Sequence, residues 1–218
     1  MELNGNRTYR LRGSRITEGQ ANARARLSPL FEITERSAIE PSSYFDHPNR
    51  IIMEIGFGMG EATALIADTQ RDDGFIAVEV HPPGVGKLMA RLEERNLSNV
   101  KIINEDVHIV LEKMIPPASI DGIHLFFPDP WPKMKHHKRR IITEAFLKQI
   151  HPTLKKDGFV HIATDWVPYA EWIERIFAES KLFSGGVVPR PQWRPITRFE
   201  EQGLDKEHRV TDLRFVKV

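Results

Sequence analysis

The 218-residue chain carries 31 Lys and Arg against 30 Asp and Glu, a formal net charge of +1, with 40% hydrophobic and 28% charged residues. That length and balance suit one large folded domain, and they leave any polyanion affinity to local patches rather than to overall charge. There is no cysteine, which excludes disulfides, thiolate metal sites and cysteine nucleophiles, and no apolar run approaches a signal peptide or a membrane span, so a soluble cytoplasmic protein with no membrane partner is expected.

Arg7, Arg10, Arg12, Arg15, Arg24 and Arg26 crowd the first 26 residues, where apolar residues are sparse. Such a segment fits either a frayed, solvated terminus or a basic arm that lies on a phosphate backbone. Residues 1–40 are set apart as this arm, and 41–218 are read as a single domain. From Ile51 short apolar runs recur, at Ile51–Ile55, Phe75–Val80, Val100–Ile103, Ile120–Phe127 and Phe159–Ile162. Between them Glu61–Asp68, Val85–Arg95, Ile141–Ile150 and Tyr169–Phe177 space their apolar residues by three and four, the helical period. Strand alternating with helix predicts an α/β fold of the Rossmann-like kind, a mostly parallel central sheet with helices on both faces. A last run, Arg209–Val218, has strand character with no helix after it, and is expected as an antiparallel edge strand.

The first strand ends in Glu54-Ile55-Gly56-Phe57-Gly58-Met59-Gly60. Glycines serve where a tight strand-to-helix turn must let a ligand approach the backbone. Here the spacing is G-x-G-x-G, and Glu61 stands where a dinucleotide fingerprint needs its third glycine. Glu54 would repel a pyrophosphate and attract a cation. S-adenosylmethionine carries a sulfonium and an ammonium and no phosphate, so the charges favour it over NAD. Glu79 closes the second strand, where an acid can accept hydrogen bonds from ribose hydroxyls. Asp106 follows the third strand and Asp129 the fourth. Each alone is commonly a helix cap or turn residue; four at the ends of successive parallel strands, behind a glycine turn, point to a site.

The fourth strand runs into Phe127-Pro128-Asp129-Pro130-Trp131-Pro132. Prolines at alternate positions make a stiff loop that cannot continue the sheet. Trp131 fits either a core position or a stacking surface for a base. Five of the eight residues from Lys133 to Arg140 are Lys or Arg, a run suited to gripping phosphates beside the site. The adjacent His136 and His137 lack any supporting ligand pattern, so no metal is expected. Asp165 follows the fifth strand, and fits either the same edge or an N-cap for a helix starting near Val167.

The segments EIGFGMG at 54–60, FPDPWPKMKHHKRR at 127–140, TDWVPYAEW at 164–172 and RPITRFEEQG at 194–203 together resemble the bacterial tRNA (guanine-N7-)-methyltransferase family, in the family's order over most of the chain. The arm around Arg10–Gln20 resembles that family's basic N-terminal region. The resemblance implies a class I, Rossmann-like methyltransferase that moves the methyl of S-adenosylmethionine to N7 of a tRNA guanine, the variable-loop guanine at position 46, in a monomer or homodimer. It implies cofactor binding by Glu54, Gly56, Gly58, Gly60, Glu79, Asp106 and Asp129, with Asp129 also the catalytic candidate at the reacting centre. It implies substrate binding by Lys133, Asp165, Thr197, Arg198, Phe199 and Glu200, and RNA contacts from Lys135, His136, His137, Lys138, Arg139 and Arg140. Glu200 with Thr197 suits the donors on the Watson–Crick edge of guanine. Three other readings compete: a methyltransferase of small molecules or proteins, an RNA-binding module without catalysis, and an NAD oxidoreductase. Glu54 and Glu61 oppose the last, and the intact Glu54, Gly56, Gly58 and Asp129 oppose the second.

Overall fold

The computed structural model describes residues 8–9, 16–196, 200 and 210–218. Seven strands, β1 (Ile51–Ile55), β2 (Gly74–Val78), β3 (Val100–Ile103), β4 (Ile120–Phe126), β5 (Leu154–Thr164), β6 (Phe183–Val188) and β7 (Thr211–Lys217), form one sheet in the order β3-β2-β1-β4-β5-β7-β6. The first five run parallel, and β7 is antiparallel to both β5 and β6. The expected α/β class and antiparallel C-terminal strand are therefore present. β7 is not at the edge as expected but slots between β5 and β6, and the edge is taken by β6, which has Gly185 and Gly186 in its middle and was not expected as a strand.

Both β1 and β2 are buried at every position, the mark of parallel strands covered on two faces. One face packs Ile51, Met53, Ile123, Val160 and Leu213 against α4 (Val107–Lys113), α5 (Glu144–Thr153) and α6 (Val167–Ser180). The other packs Ile52, Phe75, Val100 and Ile102 against α1 (Glu18–Phe31), α2 (Glu61–Thr69) and α3 (Pro82–Glu94). Those three helices serve the β1–β3 half. Farther along that face, Trp193 stacks on His124 of β4, ring centres 4.8 Å apart and planes 13° from parallel.

The chain expected as a basic arm becomes a packed helix at Glu18. Thr17 caps α1 in a reciprocal box with Gln20, and Ala23, Leu27 and Phe31 bury one stripe. A Cβ at Gly86 would come within 2.3 Å of the Gln20 carbonyl oxygen, so α1 and α3 meet at a glycine contact. Arg24 pairs with Glu32 at 2.6 Å, and Arg26 pairs with Glu93 of α3. These two arginines brace the helix within the fold, a role that neither the frayed-terminus nor the phosphate-arm reading gave them. Arg7, Arg10, Arg12 and Arg15 lie outside the described residues. Among the described residues no helix is long and apolar enough to cross a membrane.

Candidate active site

Parallel strands place the C-terminal ends of β1 to β5 along one edge, where ligands of open α/β sheets bind. At β1 the turn takes left-handed backbone at Gly56 (φ 74°), Gly58 (φ 57°) and Gly60 (φ 71°). A Cβ at Gly56 or Gly58 would meet nothing within 4 Å, whereas one at Gly60 would lie 2.6 Å from the Leu88 side chain. The first two glycines face open space that a ligand can fill. The third packs closely against Leu88 of α3. Gly84, unremarked in the sequence, admits the Gly58 carbonyl oxygen to within 2.0 Å of where its Cβ would stand.

The acids along this edge have distinct surroundings. Glu54 is 3% exposed, and burial pushes its carboxyl up to about 7, with the Thr63 hydroxyl opposing and the Glu79 charge adding to the rise. A buried acid poised near neutrality is stabilised as an anion by any cation placed beside it. Glu79 accepts backbone N–H bonds from Gly58 (2.9 Å), Val80 (2.8 Å) and His81 (3.0 Å). Burial raises its pKa and those bonds oppose the rise. Glu79 thus ties the glycine turn to β2. Asp106 caps α4 through the His108 N–H at 2.9 Å. These residues suit S-adenosylmethionine: open glycine backbone at Gly56 and Gly58, and a buried acid for its ammonium.

After β4 the chain is bent sharply. Phe127 (φ 51°) and Trp131 (φ 43°) both adopt left-handed backbone, two residues before and after Asp129. Such strain persists only where surroundings impose it. The Phe127 N–H donates to the Ala163 carbonyl at 2.8 Å, and the Trp131 indole donates to the Thr8 carbonyl at 3.2 Å. Trp131 is buried, with Arg139 4.9 Å from its ring centre. Arg140 corrects an expectation. Read as an RNA contact, it is 4% exposed, donates to the Pro130 carbonyl at 2.9 Å and lies over both Tyr169 and Trp172. Lys133, Lys135 and Lys138 are exposed, while His136, His137 and Arg139 are half-buried on a short 3-10 helix, Met134–Arg139.

Phe126 and Ala163 are in register, so Asp129 and Asp165 leave neighbouring strand ends. The cap residue of α6 is Trp166, which makes no side-chain cap bond; the Thr164 hydroxyl accepts the Trp166 N–H at 3.3 Å. The capping role considered for Asp165 is therefore not the one observed. Glu200 is buried and paired with Arg194. Thr197, Arg198 and Phe199 lie outside the described residues. Arg194 itself was passed over, because a single arginine in a polar loop ordinarily reads as solvated surface. A cavity of about 280 Å³ opens farther along the sheet, bordered by Arg50, His124, His161, Trp193 and Arg214, and it shares no lining residue with the edge acids. Among the described residues no group of three or more His, Asp or Glu could hold a metal ion.

This strand order, with a glycine turn after β1 and acids at successive strand ends, is that of the class I, Rossmann-like methyltransferases. Solved structures agree on the fold. The 16S rRNA methyltransferase KamB superposes with a TM-score of 0.58 at 13% identity, covering 78% of this chain and 89% of KamB. A "putative methyltransferase" from Streptococcus mutans, solved in complex with SAH, gives 0.53 at 14%, covering 94% and 100%. A family model described as "Putative methyltransferase" matches residues 48–213. The tRNA (guanine-N(7)-)-methyltransferase of Streptomyces avermitilis is 44% identical over 218 residues, covering 97% of this chain and 75% of that protein. The chain belongs to the tRNA (guanine-N(7)-)-methyltransferase family.

Proposed function

We propose that the chain transfers the methyl group of S-adenosylmethionine to N7 of a guanine in tRNA, the variable-loop guanine at position 46. The observation that carries the reading is the 44% identity spanning 97% of the chain with a tRNA (guanine-N(7)-)-methyltransferase. The Pro-Trp loop and the 194–203 segment carry the resemblance to the same family, and a generic methyltransferase edge does not require them. Residues 41–218 form the catalytic domain in this reading, and the segment before them faces RNA, with α1 docked on α3.

When bound, S-adenosylmethionine supplies a methyl on a sulfonium sulfur, which guanine N7 takes with its lone pair as the carbon–sulfur electrons return to sulfur. N7 has no proton to lose, so the protein needs no general base and works chiefly by alignment. Glu54 holds the ammonium of the cofactor as a carboxylate. Gly56 and Gly58 would leave room for the cofactor at the backbone, and Glu79 and Asp106 would help to hold it. Asp129, on its strained and anchored loop, faces the positive charge that arrives on the guanine ring, a stabilising and positioning role. Lys133, Asp165 and the 197–200 segment hold the guanosine, while Lys135 and Lys138, with His136, His137 and Arg139 beside them, meet phosphates.

The test supplies labelled S-adenosylmethionine with an unmodified tRNA transcript, followed by mapping of the labelled nucleotide. Label as N7-methylguanosine in the variable loop is expected. Label on another atom, or transfer that does not need RNA, would refute the reading.

A further inference from the structure

Arg194 is 1% exposed, the largest fully buried side chain among the described residues, and it links Glu200 to Asp212 of β7. Its Nε donates to Asp212 Oδ1 at 2.7 Å and its Nη2 to Asp212 Oδ2 at 2.8 Å. On the other side Nη1 donates to Glu200 Oε2 at 2.8 Å and Nη2 to Glu200 Oε1 at 3.2 Å. One planar guanidinium thus spends four of its N–H groups on two carboxylates, which a lysine ammonium cannot match in geometry. Asp212 is braced from the far side by His161 Nε2 at 2.8 Å.

The location ties this cluster to chemistry. Asp212 pairs in register with Ala163, two residues before Asp165, at the strand end where the proposed guanosine site lies. The Arg194 guanidinium also stands 5.9 Å from the ring centre of Phe127, the residue that opens the Asp129 loop. Glu200 has little exposure, and both of its oxygens are oriented by Arg194. A carboxylate offers about four acceptor positions, and fixing two of them fixes the direction of the others.

We propose that Arg194 is a positioning residue for tRNA recognition: braced by Asp212 and His161, it fixes the Glu200 carboxylate at the guanosine site. The inference rests on the reading of Glu200 as a substrate residue. Removing Glu200 leaves a neutral Arg194–Asp212 pair, a tolerable state for a buried site. Removing Arg194 instead leaves two facing carboxylates without their common cation. The informative variants are therefore Arg194→Lys, which retains the charge and loses the fork, and Glu200→Ala.

The experiment is a double-mutant cycle on the full chain, read by KM and kcat with tRNA and by SAH affinity. Arg194→Lys should raise KM for tRNA roughly tenfold while kcat and SAH affinity stay within about twofold. In the Glu200→Ala background, Arg194→Lys should add nothing further, because it acts through Glu200. Guanidinium ion added to Arg194→Ala should lower KM again by refilling the space. Additive effects, or SAH affinity and cooperative melting falling together with tRNA turnover, would overturn the proposal and leave Arg194 a purely structural role. If Glu200→Ala leaves KM for tRNA unchanged, the underlying reading of Glu200 fails and the inference fails with it. A raised KM in Glu200→Ala beside an unaffected Arg194→Lys defeats the inference alone.

Discussion

On the β1–β3 side of the sheet edge the site acids lie at strand ends, and the partners of Glu79 and Asp106 are backbone N–H groups. On the β4–β5 side, the loop carrying Asp129 and the segment carrying Glu200 are held by buried guanidinium groups, Arg140 on the Pro130 carbonyl and Arg194 on Glu200. A site built into strand-to-helix turns is as rigid as the sheet. A loop of two left-handed residues and alternate prolines has no such ladder, and a buried guanidinium, Arg140, bonds its backbone instead. The cofactor side is thus held by backbone N–H groups at strand ends and the substrate side by buried side-chain cations.

The largest expected effect falls on the substrate side. Asp129→Asn keeps the shape of the side chain and removes its charge. If the carboxylate stabilises positive charge arriving on guanine, turnover with tRNA should fall by about 100-fold, the scale of a lost electrostatic contact at a reacting centre. Single-turnover methylation measures this directly, and an unchanged rate would remove Asp129 from that role.

A second contrast divides the basic run itself. Arg140→Ala removes a buried guanidinium with its carbonyl bond and its two aromatic contacts, and should lower stability by roughly 2–3 kcal/mol in denaturant titrations. Lys135→Ala and Lys138→Ala should change stability by less than about 0.5 kcal/mol. Each should instead reduce the slope of log affinity for tRNA against log salt by about 1. Equal stability losses for all three would erase the distinction between anchor and phosphate contact.

The same distinction governs what could be read beforehand. The five parallel strands and the acids at their ends followed from apolar runs and the glycine turn, since both are local in sequence. The helix α1 was missed although its signals were present: the Thr17–Gln20 capping box and the stripe Ala23, Leu27, Phe31. Its charged exterior masked the stripe. β6 was missed because Gly185 and Gly186 weaken strand character, and its pairing with β7 depends on residues 24 or more positions away. The roles of Arg140 and Arg194 depend on partners brought by the fold, and an arginine in a polar run carries no local sign of whether it will be buried.

A last test addresses the cofactor side through pH. The Glu54 carboxyl, raised from 4.5 to about 7 by burial, binds a proton in the folded protein that the unfolded chain has already lost. Stability of the ligand-free protein should therefore decline as pH rises between those two values, by at most about 1.4 kcal/mol per pH unit from this group. Ligand binding should run the other way. An ammonium placed beside Glu54 requires the carboxylate, so below pH 7 each binding event must release the proton. Affinity for SAH should weaken as pH falls below about 7, by up to about tenfold per unit. Calorimetric titration across that range checks both the slope and the proton release. Glu54→Gln should bind SAH more weakly at pH 8 and lose most of the pH dependence, because the amide neither ionises nor offers charge to the ammonium. If the variant kept the full slope, the titrating group would be another acid of the edge, and the difference between Glu54 and the backbone-tied Glu79 would lose its functional meaning.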